Sequence, residues 1–204
     1  MNDDQLPQYP DELPKQYSSN GFFWAILIVG VLTIGFASFF RNALQEALRP
    51  PESAMIHKEF PAIEAVGWFN EPESPIQDQL KGQVFVVDAW AFWCGPCREA
   101  IPYVIQLHQK YKDKGVKFLG LTDEGLDPVS VKKSREFVES LKIPWPNGYG
   151  AVRTLAALNV NAIPQLWVVD RENRIVFHER GWGPSSVKEI EMAINKALTE
   201  PNTK

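Results

Sequence analysis

QVFVVDAWAFWCGPCREAIP, residues 83–102, is the stretch that decides the fold. Its first half, 83–92, is a β-branched and aromatic apolar run, the pattern of a central strand covered on both faces. Its second half opens a segment, 97–113, with apolar positions at Ile101, Val104, Ile105 and Leu107, a helical period that Gly115 is expected to end and Pro102 to kink. Cys94 and Cys97, the chain's two cysteines, sit at the junction.

That position sets their chemistry. The first sulfur lies at a helix N-terminus, where unpaired N–H groups and the helix dipole favour negative charge, so the Cys94 thiol is expected below its ordinary ~8.5. Cys94 is the predicted nucleophile. Cys97, one turn further in, is the predicted resolving thiol, placed to attack a mixed disulfide formed on Cys94. Pro96 suits a first helical turn, and Gly95 lets a substrate backbone approach the sulfur. Asp88 lies inside the buried run, six residues before Cys94. Burial should raise its pKa and make it an acceptor for the proton that Cys97 must lose. A solvated aspartate at a strand end is the competing reading.

Other uses of the pair fit less well. A zinc site needs two further ligands, and His57, His108 and His178 lack ligand spacing; no metal and no cofactor is expected. Haem attachment requires C-x-x-C-H, and residue 98 is Arg. Copper delivery calls for wider spacing and a histidine partner. A purely structural disulfide across so short a loop adds little chain-entropy stabilisation. Two cysteines also exclude a disulfide-rich scaffold.

Working outward, VKFLGL (116–121) reads as a second strand and 128–141 as a helix, followed by a turn cluster at Pro144–Gly148. Residues 151–158 form a short helix. Strands at 165–169 and 175–179 flank the DREN turn as a hairpin. Ser186 with Glu189 suggests a capping box on a last helix that buries Ile190, Ala193, Ile194, Ala197 and Leu198. The expectation is an α/β domain over 61–204, a central mixed sheet with helices on both faces.

Upstream the character changes. Residues 1–21 are a polar, proline-containing tail. Residues 22–40 are nineteen without a charge, hidden by a mean hydropathy of -0.22 for the whole chain. They read as one membrane-spanning helix, with a cleaved signal peptide and a buried core helix as the alternatives. Residues 41–60 read as a stalk that Pro50-Pro51 interrupts. Twenty-one basic against 25 acidic side chains give a net charge of -4, which argues against nucleic acid as a partner.

The motif WCGPC, with Asp88 before it and Pro102 after it, resembles the thioredoxin superfamily across about residues 61–200. Ile163-Pro164 falls where that family places its cis-proline. The resemblance implies a thioredoxin-like fold in which Trp93, Gly95, Pro96, Ile163 and Pro164 contact substrate, the residue before the proline pairing with the substrate backbone. The long segment 122–150 with its own helix, together with the anchor, is similar to membrane-tethered TlpA/ResA-like thiol–disulfide oxidoreductases. Two residues depart from these patterns: Gln165, where a threonine is common, and Asp88, where many TlpA-like chains are neutral.

The resemblance implies a membrane-anchored enzyme that reduces protein disulfides outside the cytoplasm, periplasmic or on the outer face. Its partners would be protein thiols or disulfides, such as cytochrome c maturation apothiols, and a membrane or soluble dithiol donor. A tethered binding or chaperone module with dispensable cysteines and a cytoplasm-facing thioredoxin are the alternatives. A thiol peroxidase is disfavoured because no separate peroxidatic cysteine exists. Lys15 before the span against Arg41, Arg49 and Lys58 after it would by itself leave the domain cytoplasmic.

Overall fold

The computed structural model describes residues 20–48, 55–70 and 76–200, with α1 side chains over 24–40. The chain divides into two compact units, Met1–Pro50 and Pro51–Lys204. The first contains helix α1 (Asn20–Leu48). Its apolar side chains are largely exposed, among them Ile28, Val31, Ile34 and Phe36. Among the described residues no helix is long and apolar enough to cross a membrane. The described side chains, 24–40, cover the nineteen-residue apolar run except for its first two residues, and the polar tail up to residue 19 and the stalk at 49–54 lie outside the described residues.

The second unit follows the order β1 (Gly67–Phe69), α2 (Ile76–Leu80), β2 (Val84–Ala89), α3 (Gly95–Tyr111), β3 (Val116–Leu121), α4 (Pro128–Ser140), β4 (Asn147–Tyr149), α5 (Val152–Ala157), β5 (Gln165–Val169), β6 (Ile175–Arg180) and α6 (Ser186–Thr199). The six strands form one sheet in the order β1-β4-β3-β2-β5-β6. β2 pairs in parallel with β3 and antiparallel with β5, which makes the sheet mixed, as expected.

Side-chain parity builds two cores. Val84, Val86 and Trp90, with Phe118 and Leu166, face the layer that holds Ile101 of α3, Phe137 of α4 and Ile190 of α6. Phe85, Val87 and Ala89, with Leu119 and Trp167, face α2 and Leu155 of α5. β2 is therefore buried along its whole length, which is why it reads as an unbroken apolar run. Each large side chain so buried contributes roughly 1.5–3 kcal/mol.

Several boundaries differ from the sequence reading. The Pro144–Gly148 cluster is not only a turn: Asn147 and Gly148 enter the sheet as β4, beside Gly120 and Leu121. The backbone supplies the ladder there, with the Gly120 N–H donating to Pro146 O and the Thr122 N–H to Gly148 O. The capping box does not form. The Ser186 hydroxyl accepts from the Gly183 N–H and donates to Glu179, and the helix cap falls on Ser185 with no side-chain bond. Pro102 lies inside α3 without ending it, and Gly115 closes the following turn at φ 83°. Residues 57–60, read as the end of the stalk, bond to the β5–β6 turn instead. His57 N–H donates to Ile175 O, Ile175 N–H to Lys58 O and Phe60 N–H to Asn173 O, and Phe60 is buried.

Candidate active site

β2 ends at Ala89, and five residues later the chain turns into α3. Cys94 is the N-cap of α3, its Sγ accepting the Cys97 N–H at 3.1 Å, with Pro96 in the first turn. The two cysteines form a disulfide with Cα atoms 5.3 Å apart. Cys94 is 4% exposed and Cys97 1%, while Gly95 and Pro96 between them are exposed. Both sulfurs are buried, and the N–H aimed at Cys94 Sγ is a contact that favours negative charge on that sulfur.

Asp88 points to the same sheet face as Val86 and Trp90, the face that α3 covers. Its neighbours across the sheet are Gly120 and Leu166, which offer it no polar side chain. Oδ2 is buried without a hydrogen-bond partner. Desolvation pushes the carboxyl from 3.8 up to about 7. At 4% exposed, Asp88 is not the solvated strand-end residue of the competing reading.

The Ile163–Pro164 peptide is cis, as the motif implied. Pro164 O accepts the Gly181 N–H at 2.8 Å. Behind this loop lies a polar pair that the sequence did not reveal. Gln165 Nε2 donates to Ala162 O at 2.7 Å, and Gln165 Oε1 lies 2.8 Å from His178 Nε2. Since the amide nitrogen is committed to Ala162, the network assigns the imidazole proton to Nε2. Burial, then the charge of Arg180, lowers His178 to about 4, and the Trp167 ring stacks on it with centroids 5.0 Å apart. Gln165 stood out as an unusual residue, but a partner thirteen positions away leaves no local mark.

Trp93 is 63% exposed, and its indole N–H donates to Glu124 Oε1 in the loop after β3. Trp90 is buried, stacks on Phe137 at 4.8 Å and donates to Asn147 Oδ1 at 3.0 Å. That bond passes over Gly120, where any Cβ would collide with the Asn147 side chain. Between Trp93 and Ile163 opens a cavity of about 350 Å³, walled by Trp90, Trp93, Leu155, Val160 and Ile163, with Asp123 and Asn161 on its lining. Among the described residues no group of His, Cys, Asp and Glu could hold a metal ion.

A family model described as Redoxin matches residues 57–194. The chain belongs to the Redoxin family. The match starts at the residues that bond to the β5–β6 turn. The chain is 27% identical over 118 residues to the thiol-disulfide oxidoreductase ResA of Bacillus cereus, covering 57% of this chain and 65% of that protein. It thus spans just under two thirds of the length of these curated relatives. A 57-residue stretch is 42% identical to protein DipZ of Mycobacterium tuberculosis, covering 27% of this chain and 8% of DipZ. Among solved structures, a thiol-disulfide isomerase from Corynebacterium glutamicum superposes with a TM-score of 0.61 at 19% identity, covering 70% of this chain and 97% of that one. The thioredoxin domain of a thiol-disulfide oxidoreductase from Bacteroides vulgatus gives 0.58 at 23%, covering 69% and 98%. The Redoxin domain therefore has a thioredoxin-like α/β fold.

Proposed function

We propose that this protein is a membrane-anchored thiol–disulfide oxidoreductase that reduces disulfides of proteins outside the cytoplasm. The observation that carries the reading is the Cys94–Cys97 pair capping α3, on the sheet face to which the unpartnered Asp88 carboxyl points. In the reduced enzyme the Cys94 thiolate attacks one sulfur of the substrate disulfide, forming a mixed disulfide and expelling the other sulfur as a thiolate. Cys97 gives its proton to Asp88, directly or through water, and its thiolate attacks Cys94 Sγ. The mixed bond breaks, the Cys94–Cys97 bond forms, and the second substrate thiolate leaves. Two electrons pass to the substrate, and an external dithiol donor returns the pair to the reduced state. Trp93, Gly95, Pro96, Ile163 and Pro164 frame the substrate strand.

The reducing direction is supported by Gly-Pro between the cysteines, which resembles reducing thioredoxins near -270 mV rather than oxidants near -120 mV. Anchoring is supported by α1, whose apolar side chains stand exposed, as a helix meant for lipid requires. The test is a Cys97→Ser variant in native membranes, which should accumulate mixed disulfides through Cys94. No trapped partner, or a potential above roughly -150 mV, would overturn the reductase reading. Labelling of Cys94 by a membrane-impermeant thiol reagent only after lysis of reduced cells would overturn the extracytoplasmic placement.

A further inference from the structure

We infer that the cavity between Trp93 and Ile163 receives a side chain of the substrate and selects a long basic one, lysine or arginine, next to the substrate cysteine. The inference rests on the exchange reading above and adds the chemistry of what is exchanged. The cavity lies between Trp93, which precedes the attacking sulfur, and Ile163, which precedes Pro164. A peptide joined to Cys94 by a mixed disulfide brings the residue beside its own cysteine to this opening.

The lining matches one kind of side chain. Trp90, Leu155 and Val160 offer apolar walls to a methylene stem. Asp123 is the one charged residue of the lining, is exposed, and has no hydrogen bond or ion pair among the described residues. Glu124 beside it has one oxygen engaged by the Trp93 indole. At the other end Asn161 Oδ1 accepts from Arg180 at 2.7 Å, so that cation is already committed. The uncommitted charge on the lining is thus negative. A lysine or arginine can lay its stem on the walls and its head on Asp123. A glutamate would face two carboxylates, and a purely apolar side chain would leave Asp123 unanswered.

The wall is also set before anything binds. Ala162 O is held by Gln165, Gln165 by His178, and Pro164 O by the Gly181 N–H, so segment 160–164 is pinned from behind. Little ordering is left for the substrate to induce.

The test uses the 204-residue chain in detergent micelles and two peptides, each with one internal disulfide, identical except for Lys or Glu before the first cysteine. With dithiothreitol as donor, kcat/KM should favour the Lys peptide about threefold to fivefold at low salt. The preference should shrink in 0.5 M salt, vanish in Asp123→Asn and invert in Asp123→Lys. Reduction of hydroxyethyl disulfide, which has no side chain to place in the cavity, gives each protein the reference rate against which its peptide preference is read. Equal kcat/KM for the two peptides, or a preference that survives Asp123→Asn, overturns the inference. Fluorescence anisotropy of labelled peptides with cysteines replaced by serine separates the pocket from the chemistry. Asp123-dependent tighter binding of the Lys peptide without turnover of either disulfide would keep the pocket and overturn the exchange reading. Ala156→Trp, which fills the cavity from α5, should weaken binding of the Lys peptide about tenfold, and unchanged binding would count against the site.

Discussion

Asp88 and Asp170 are both buried carboxylates, 4% and 3% exposed, near opposite ends of two paired strands. The fold treats them in opposite ways. Asp170, just past β5, accepts the N–H groups of Glu172 and Arg174 on Oδ1 and the Arg174 Nε–H on Oδ2 at 3.0 Å. Asp88, within β2, faces Gly120 and Leu166 and keeps Oδ2 unpartnered. The sequence can therefore neutralise a buried acid, and does so where the acid shapes a turn. It leaves one unneutralised on the face covered by the helix that carries the cysteines. An uncompensated carboxyl costs stability when ionised, and its retention there fits a group kept for moving a proton.

The widest separation between the two should appear in stability against pH. The carboxyl of Asp88 is raised from 3.8 to about 7, so between those values the folded chain holds a proton that the unfolded chain has lost. Its contribution is fully present below about pH 4 and is lost as pH rises through about 7, a change of about 4 kcal/mol. Asp88→Asn removes this dependence. Denaturant unfolding should find the variant close to wild type at pH 4 and more stable by about that amount at pH 8. His178 acts in the other sense, with a lowered pKa that removes stability as pH falls below 6.5 toward 4, but it does so in both proteins and cancels. A constant difference across the range would refute the role given to burial at Asp88.

Asp170→Ala should behave as the mirror image. It strands two turn N–H groups and leaves Arg174 with Glu172 alone, with an expected loss of about 2–3 kcal/mol at neutral pH, while turnover per folded molecule stays near wild type. Next in size is the exchange rate. Asp88→Asn should slow release of the mixed disulfide about tenfold at pH 7, or ~1.4 kcal/mol of barrier, and erase an inflection near pH 7 in the stopped-flow rate. An unchanged pH profile would remove Asp88 from the proton path. The smallest effect belongs to a carboxylate that is not buried. Glu136 pairs with Lys132 at 3.9 Å on the solvent face of α4, and Lys132→Ala should shift stability by less than about 0.5 kcal/mol.

Asp88 was legible in the sequence because its surroundings are contiguous: residues 84–87 precede it and residues 89–93 follow, all apolar, and burial can be read from neighbours. The same holds for the position of Cys94 and Cys97, which one strand–helix junction sets. β4 was not legible, because Asn147 and Gly148 carry turn chemistry and join the sheet through backbone bonds to a strand some twenty-five residues earlier. Strand β1 is too short to show a period. The Gln165–His178 pair and the Trp93–Glu124 bond were hidden for another reason. The pairs join residues 13 and 31 positions apart, and only the pairing of β5 with β6, or the return of β3, brings them together. Ser186 shows the converse, a correct local signal for a cap outcompeted by Gly183 and Glu179.

The stitching of residues 57–60 to the β5–β6 turn has a mechanical consequence. β5 runs antiparallel to β2, so that turn lies at the pole of the sheet where β2 begins, whereas Cys94 follows the other end. A pull on the incoming chain is thus delivered to the Glu59–Arg174 bridge, about one strand length, roughly 20 Å, from the disulfide. The bridge works as a strain relief on a cable. Load arriving at residue 57 is taken up at the sheet's rear corner, and the buried sulfur pair at the opposite pole is spared it.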